Sequence, residues 1–390
     1  MANERAAGRV GVRAAAVGAH ARGLGRLFGP HDAYPNTAIV GASRLIGVIL
    51  LASFALSCGS SAEPTAGPGA FAARVNLMAS SGARSAVDSA AAARSAGLRS
   101  ALSANAVGDS AARHSATPSS GCSHNSAAVE RSSEASVQQL RSGGIDREYR
   151  VYIPAAVSNP APLVLNLHGR SGSGEFQERY SGFIPVAERE GFVLISPEGT
   201  GAMRAWSAGA TGPSTIDDVA FLTALIDKAS ADLCLDSSRI YVAGMSNGAF
   251  MASLAACRIV QISAVAMVAG ADLPTQCAHA AAALAVHGTE DKLVPYLGGK
   301  IRGSWQYGGV VNAVSGWAGV NGCDSGPLSD LISDHVTRTQ FKNCRARTEL
   351  ITIDGGGHTW PGAQPYPDLG LTSSEMNAAE EIWRFFMASR

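Results

Sequence analysis

From residue 147 onward the chain alternates short apolar runs with segments of helical spacing, and this pattern constrains the fold more than any other feature. Arg147–Pro154 alternates like a half-buried strand. Leu163–Leu167, Phe192–Ser196, Ile240–Ala243, Ile262–Val268, Ala283–Val286 and Leu350–Ile353 are runs of the buried-strand type. Between them, 217–229 carries Val219, Leu222, Leu225 and Ile226 on one face, 248–257 reads as helix, and 374–387 aligns Met376, Ala379, Ile382, Trp383 and Phe386. Strands that alternate with helices predict an α/β fold, a mostly parallel sheet with helices on both faces.

The N-terminal third does not share this pattern. It is rich in Ala, Ser, Gly and Arg, and all five Trp lie after position 200. Leu45–Ser57 is a short apolar run after Arg44, shorter than the ~20 residues of a membrane span and followed by Cys58-Gly-Ser-Ser. A basic flank, a short apolar core and small residues describe a secretory signal. Cys58 stands where a bacterial lipoprotein would be acylated, so a membrane tether through a lipidated Cys58 is expected. The expected organisation is an N-terminal extension (1–43, consistent with a start codon placed too far upstream), a signal or lipoprotein segment (44–58), a disordered linker (59–120) and a catalytic domain (121–390). The linker is too poor in apolar residues to offset its ordering entropy.

Net formal charge is zero, which speaks against a nucleic-acid partner. No Cys or His cluster has metal-ligand spacing, and neither metal nor cofactor is expected. A monomer is expected. Setting Cys58 aside leaves six cysteines, Cys122, Cys234, Cys257, Cys277, Cys323 and Cys344. An even set in an exported domain predicts disulfides. Cys323–Cys344 is the firmest pairing, with Cys234–Cys257 and Cys122–Cys277 for the rest.

Gly244-Met-Ser-Asn-Gly248 fits G-x-S-x-G at a strand-to-helix junction. In a chain with 44 Gly the motif alone means little; its placement between a buried strand and a helix gives it weight. Ser246 is the expected nucleophile. A serine hydroxyl needs a base, and this arrangement calls for an acid and then a histidine on later loops. Asp291, in His287-Gly-Thr-Glu-Asp291, and His358, in Asp354-Gly-Gly-Gly-His358, meet that order. Glu290 competes with Asp291, and His287 is expected to shape the Asp291 turn. The Gly-rich run 168–174 follows an apolar strand, so the backbone amides of Arg170 and Asn247 are the expected oxyanion donors. His168, Trp206 and Trp360 are expected to touch substrate, the two indoles as facing walls.

The runs 234–251, His287-Gly-Thr-Glu-Asp-Lys-Leu-Val-Pro-Tyr296 and Gly356-Gly-His-Thr-Trp-Pro-Gly362 resemble the polyhydroxybutyrate depolymerase/feruloyl esterase family, which includes acetyl xylan esterases. Arg147-x-Tyr, Trp206 and Asp217-Asp218-Val-x-Phe221 extend the likeness over roughly 121–388. The resemblance implies an α/β-hydrolase fold, an exported serine esterase and catalytic roles for Ser246, Asp291 and His358. Arg170 departs from the small residue or Cys usual at its position and makes the pocket edge cationic. Two alternatives are a peptidase of the prolyl oligopeptidase type, for which the N-terminal third supplies no gating domain, and a non-catalytic surface lipoprotein, against which the intact triad argues.

Overall fold

The computed structural model describes residues 115–123, 134–208, 216–277, 279–301, 303 and 305–389. The extension 1–43, the segment 44–58 with Cys58, and 59–114 of the linker lie outside the described residues.

One ten-stranded sheet organises these residues. In chain order its strands are β1 (Ser136–Ser142), β2 (Ile145–Tyr152), β3 (Ala161–Leu167), β4 (Val193–Pro197), β5 (Leu235–Met245), β6 (Ile262–Val268), β7 (Ala282–Gly288), β10 (Ser325–Ser333), β11 (Val336–Lys342) and β12 (Thr348–Ile353). A separate pair, β8 (Gly299–Ile301) and β9 (Trp305–Tyr307), lies between β7 and β10 in sequence. The spatial order is β1-β2-β4-β3-β5-β6-β7-β12-β11-β10. The strands from β4 to β12 run parallel, and an antiparallel pair closes each edge. This is an α/β-hydrolase fold.

The two faces of the sheet carry separate cores, because successive side chains of a strand point to opposite sides. In β5, Ile240 and Val242 pack on one side and Tyr241, Ala243 and Met245 on the other. The first side is covered by α3 (Asp218–Asp232), α4 (Asn247–Arg258) and α5 (Val310–Val320) through Phe221, Leu225, Phe250, Met251 and Trp317. The second is covered by α1 (Gly174–Ser181), α2 (Phe183–Glu190) and α6 (Ala378–Ala388) through Tyr180, Phe183, Trp383 and Phe386.

The expected boundary at 121 falls inside a docked strap. The Thr117 amide donates to Asp236 Oδ1 at 3.0 Å, and the Ser119 amide donates to the Leu235 carbonyl at 2.8 Å. Backbone groups that find partners on β5 need no apolar content of their own, so composition carries no sign of this docking. The disulfides also differ in part. Cys323–Cys344 forms as expected, but the other bonds are Cys122–Cys234 and Cys257–Cys277. The strap lays Cys122 beside the start of β5, and Cys257 at the end of α4 faces the loop after β6.

Candidate active site

The elbow at Ser246 follows from the junction of β5 and α4. The Ser246 amide still donates to Val268 on β6 at 2.9 Å, while its carbonyl already accepts from Ala249 and Phe250 in the first helical turn. Changing from strand to helix within one residue forces φ 56° and ψ −120° on Ser246, a conformation that costs an L residue about 1–3 kcal/mol. The flanking glycines are a steric requirement. A Cβ on Gly244 would lie 2.3 Å from the Gly248 carbonyl oxygen, and one on Gly248 would lie 2.3 Å from that of Leu167.

Asp291 and His358 are brought together by strand order. They sit on the loops after β7 and β12, which are paired neighbours with Gly288 opposite Ile353. His358 Nδ1 lies 2.8 Å from Asp291 Oδ2. The other carboxylate oxygen, Oδ1, accepts from the Leu293 and Val294 amides at 2.9 and 2.8 Å. Burial pushes the Asp291 carboxyl up, but hydrogen bonds from His287 and His358, the charge of His358 and the Val294 amide outweigh it and hold Asp291 well below the usual carboxylate range. His287 does shape this turn. Its Nε2 lies 2.9 Å from the Val294 carbonyl and 3.2 Å from Asp291 Oδ2. Both partners accept, so Nε2 carries the proton. Glu290 is exposed and takes no part in this network.

Ser246 and His358 line one cavity of about 510 Å³, together with Gly169, Arg170 and Asn247. The loop after β3 therefore stands over the elbow, and Asn247 is the first residue of α4.

The three residues expected to touch substrate do not line this cavity. Trp206 and Trp360 are 0% and 1% exposed, and His168 is fully buried. Trp206 instead joins the two loops of the site. Its Nε1 donates to the His168 carbonyl at 2.8 Å, its amide donates to Asn247 Oδ1 at 2.7 Å, and its carbonyl accepts from Asn247 Nδ2. A buried brace supports it: Arg147 pairs with Asp218 at 2.8 Å, and Asp218 accepts from the Ser207 amide at 2.6 Å. His168 Nε2 accepts from the Gly199 amide at 2.9 Å, and Nδ1 lies 2.7 Å from the Gly169 carbonyl, so the proton is on Nδ1. Burial pushes its pKa down to about 4. Trp360 packs edge-on against Phe183, in the core beneath α2.

The aromatic wall is built elsewhere. Phe176 and Tyr180, one turn apart on α1, stack at 5.2 Å between ring centroids, and Tyr366 meets Tyr180 edge-on at 5.4 Å. All three line the cavity. Their spacing, Phe and Tyr four apart just after the Gly-rich loop, was the available signal; adjacency in sequence to His358 favoured Trp360 instead. Among the described residues no group of His, Cys, Asp and Glu is arranged to hold a metal ion.

A family model described as esterase PHB depolymerase matches residues 147–293. The probable feruloyl esterase C of Aspergillus clavatus is 31% identical over 257 residues, which is 62% of this chain and 84% of that protein. Feruloyl esterase B of Piromyces equi is 30% identical over 214 residues, and this chain spans only 39% of its length. Among solved structures, the acetyl xylan esterase of Aspergillus awamori aligns over 63% of this chain and 99% of its own, at 16% identity and a TM-score of 0.48.

Proposed function

This chain belongs to the esterase PHB depolymerase family and is a carboxylic ester hydrolase, and on that footing we propose that it cleaves its substrates by acyl transfer through Ser246, Asp291 and His358. The observation that carries the proposal is the 2.8 Å contact of His358 with a buried Asp291, in the cavity that Ser246 also lines. Asp291 fixes the proton on Nδ1 and leaves Nε2 to act as base. His358 takes the proton of Ser246 as its oxygen attacks the ester carbonyl, then returns a proton to the departing alkoxide. Water, deprotonated by the same imidazole, releases the acid. The backbone amides of Arg170 and Asn247 donate to the oxyanion, each worth about 3 kcal/mol in the transition state.

The wall of Phe176, Tyr180 and Tyr366 supports acyl groups larger than acetyl, either hydroxyacyl chains or feruloyl esters. Tyr366→Ala and Phe176→Ala are expected to lower kcat/KM on methyl ferulate or a hydroxybutyrate oligomer by about tenfold, and on p-nitrophenyl acetate by much less. Equal losses on all three would contradict the wall. Assaying p-nitrophenyl butyrate, methyl ferulate and a hydroxybutyrate oligomer side by side tests the substrate class; no hydrolysis of any would overturn the reading. We also place the protein outside the cytoplasm, with Cys58 as lipid anchor. Three disulfides support an oxidising compartment, and labelled palmitate that is retained by Cys58→Ala would refute the anchor.

A further inference from the structure

Three cationic residues, Arg170, Lys292 and Lys300, line the cavity at Ser246, and no Asp or Glu among the described residues does. Lys292 directly follows Asp291, and Lys300 lies in β8. Both are exposed, and neither side chain makes an ion pair or hydrogen bond among the described residues. Their neighbours in the lining are apolar: Leu293, Val294, Ile301 and Phe250. The nearest fixed negative charge in sequence, Asp291, is buried and already accepts from two amides and His358. A surface cation is often only a solubilising group. Two lysines that share one concave, largely apolar cavity with no compensating acid are different, because low-dielectric walls focus their field on whatever enters.

Resting on the esterase reading above, we propose that this enzyme selects esters that carry a free carboxylate close to the scissile bond, with Lys292 and Lys300 as the groups that attract it. The chain end of a hydroxyacid oligomer has this chemistry. When the last ester bond is attacked, the acyl group passes to Ser246. The leaving alkoxide, which bears the carboxylate, takes its proton from His358, and water then frees the acyl group. A neutral ester has the same apolar contacts and lacks the charge pairing. Lys292 and Lys300 are specificity-determining residues here, and they take no part in bond making.

The test compares a hydroxybutyrate trimer bearing a free carboxylate with its methyl ester, at low and high ionic strength, with p-nitrophenyl butyrate as a neutral reference. The free acid is expected to show a kcat/KM about tenfold higher at low salt, with the ratio falling toward one at high salt as the lysines are screened. In the variant combining Lys292→Gln and Lys300→Gln the ratio is expected to fall toward one at low salt. Equal rates on acid and methyl ester at low salt, or a preference that survives high salt or both substitutions, overturns the proposal and leaves the esterase reading standing. No hydrolysis of the trimers or of p-nitrophenyl butyrate overturns both. The salt series uses the unaltered protein, so a poorly folding variant does not remove the test.

Discussion

Ser246 stands in a backbone conformation that its side chain disfavours, and buried hydrogen bonds hold the residues around it. His168 is the clearest example. It looked like a substrate contact because it borders the Gly-rich loop, yet it is buried, with its ring accepting from Gly199 and facing the Gly169 carbonyl. Such an imidazole must stay neutral in the folded state. Its pKa is lowered from 6.5 to about 4 by burial, so between those values the unfolded chain binds the extra proton and folding loses stability as pH falls. Fully developed below about pH 4, the loss is about 3 kcal/mol. Urea midpoints are expected to drop on going from pH 7 to pH 4.5, and His168→Gln is expected to flatten that slope. A slope unchanged by the substitution would mean that other groups carry the acid sensitivity. Asp291 acts in a lower window. Its depressed pKa contributes stability that is fully present above the unfolded value and is lost only as pH falls through the folded one.

The junction of β5 and α4 is the element on which the site depends, because Gly248 lets the loop after β3 approach the elbow. Gly248→Ala places a Cβ 2.3 Å from the Leu167 carbonyl oxygen and 2.5 Å from that of His168. Relieving that overlap is expected to cost about 1–3 kcal/mol and to displace the amides of 170 and 247, lowering kcat by about a hundredfold. Near-normal kcat would show that the loop has slack. The buried strands β3 to β7 and the helices α3, α4 and α6 were legible in the sequence because their apolar periodicity reports their own burial. The edges were not. β1 and β10 are exposed along most of their length, and an edge strand with polar residues on both faces leaves no period to read. Glycine spacing at strand ends singled out Ser246, Asp291 and His358, and the fold brings Ser246 and His358 to one cavity with Asp291 behind the histidine. The aromatic cluster on the cavity was not legible, since Phe176, Tyr180 and Tyr366 come together only when α1 and the loop after β12 pack. Trp206 and Trp360 are buried away from the cavity, and an aromatic near a loop in sequence carries no information on which way it faces.

Across the whole molecule, the strap at 115–123 and the three disulfides tie distant segments to the sheet. Cys122–Cys234 spans 112 residues of sequence, and a loop of that order restricts the unfolded chain by about 4.7 kcal/mol in the entropy model. Cys122→Ser with Cys234→Ser is expected to lower the thermal midpoint well beyond the loss from removing Cys257–Cys277, which spans 20 residues; the reverse order, read by calorimetry, would show that the strap is dispensable. The sheet then holds loops from β3, β5, β7 and β12 around one cavity, in which Ser246 is the proposed nucleophile. A fluorophosphonate probe followed by peptide mass mapping tests this directly. One adduct is expected, on the peptide containing Ser246, absent in Ser246→Ala together with all ester hydrolysis and formed far more slowly in His358→Ala. An adduct on another serine, or Ser246→Ala protein that still hydrolyses p-nitrophenyl butyrate at more than a few per cent of the normal rate, would contradict it.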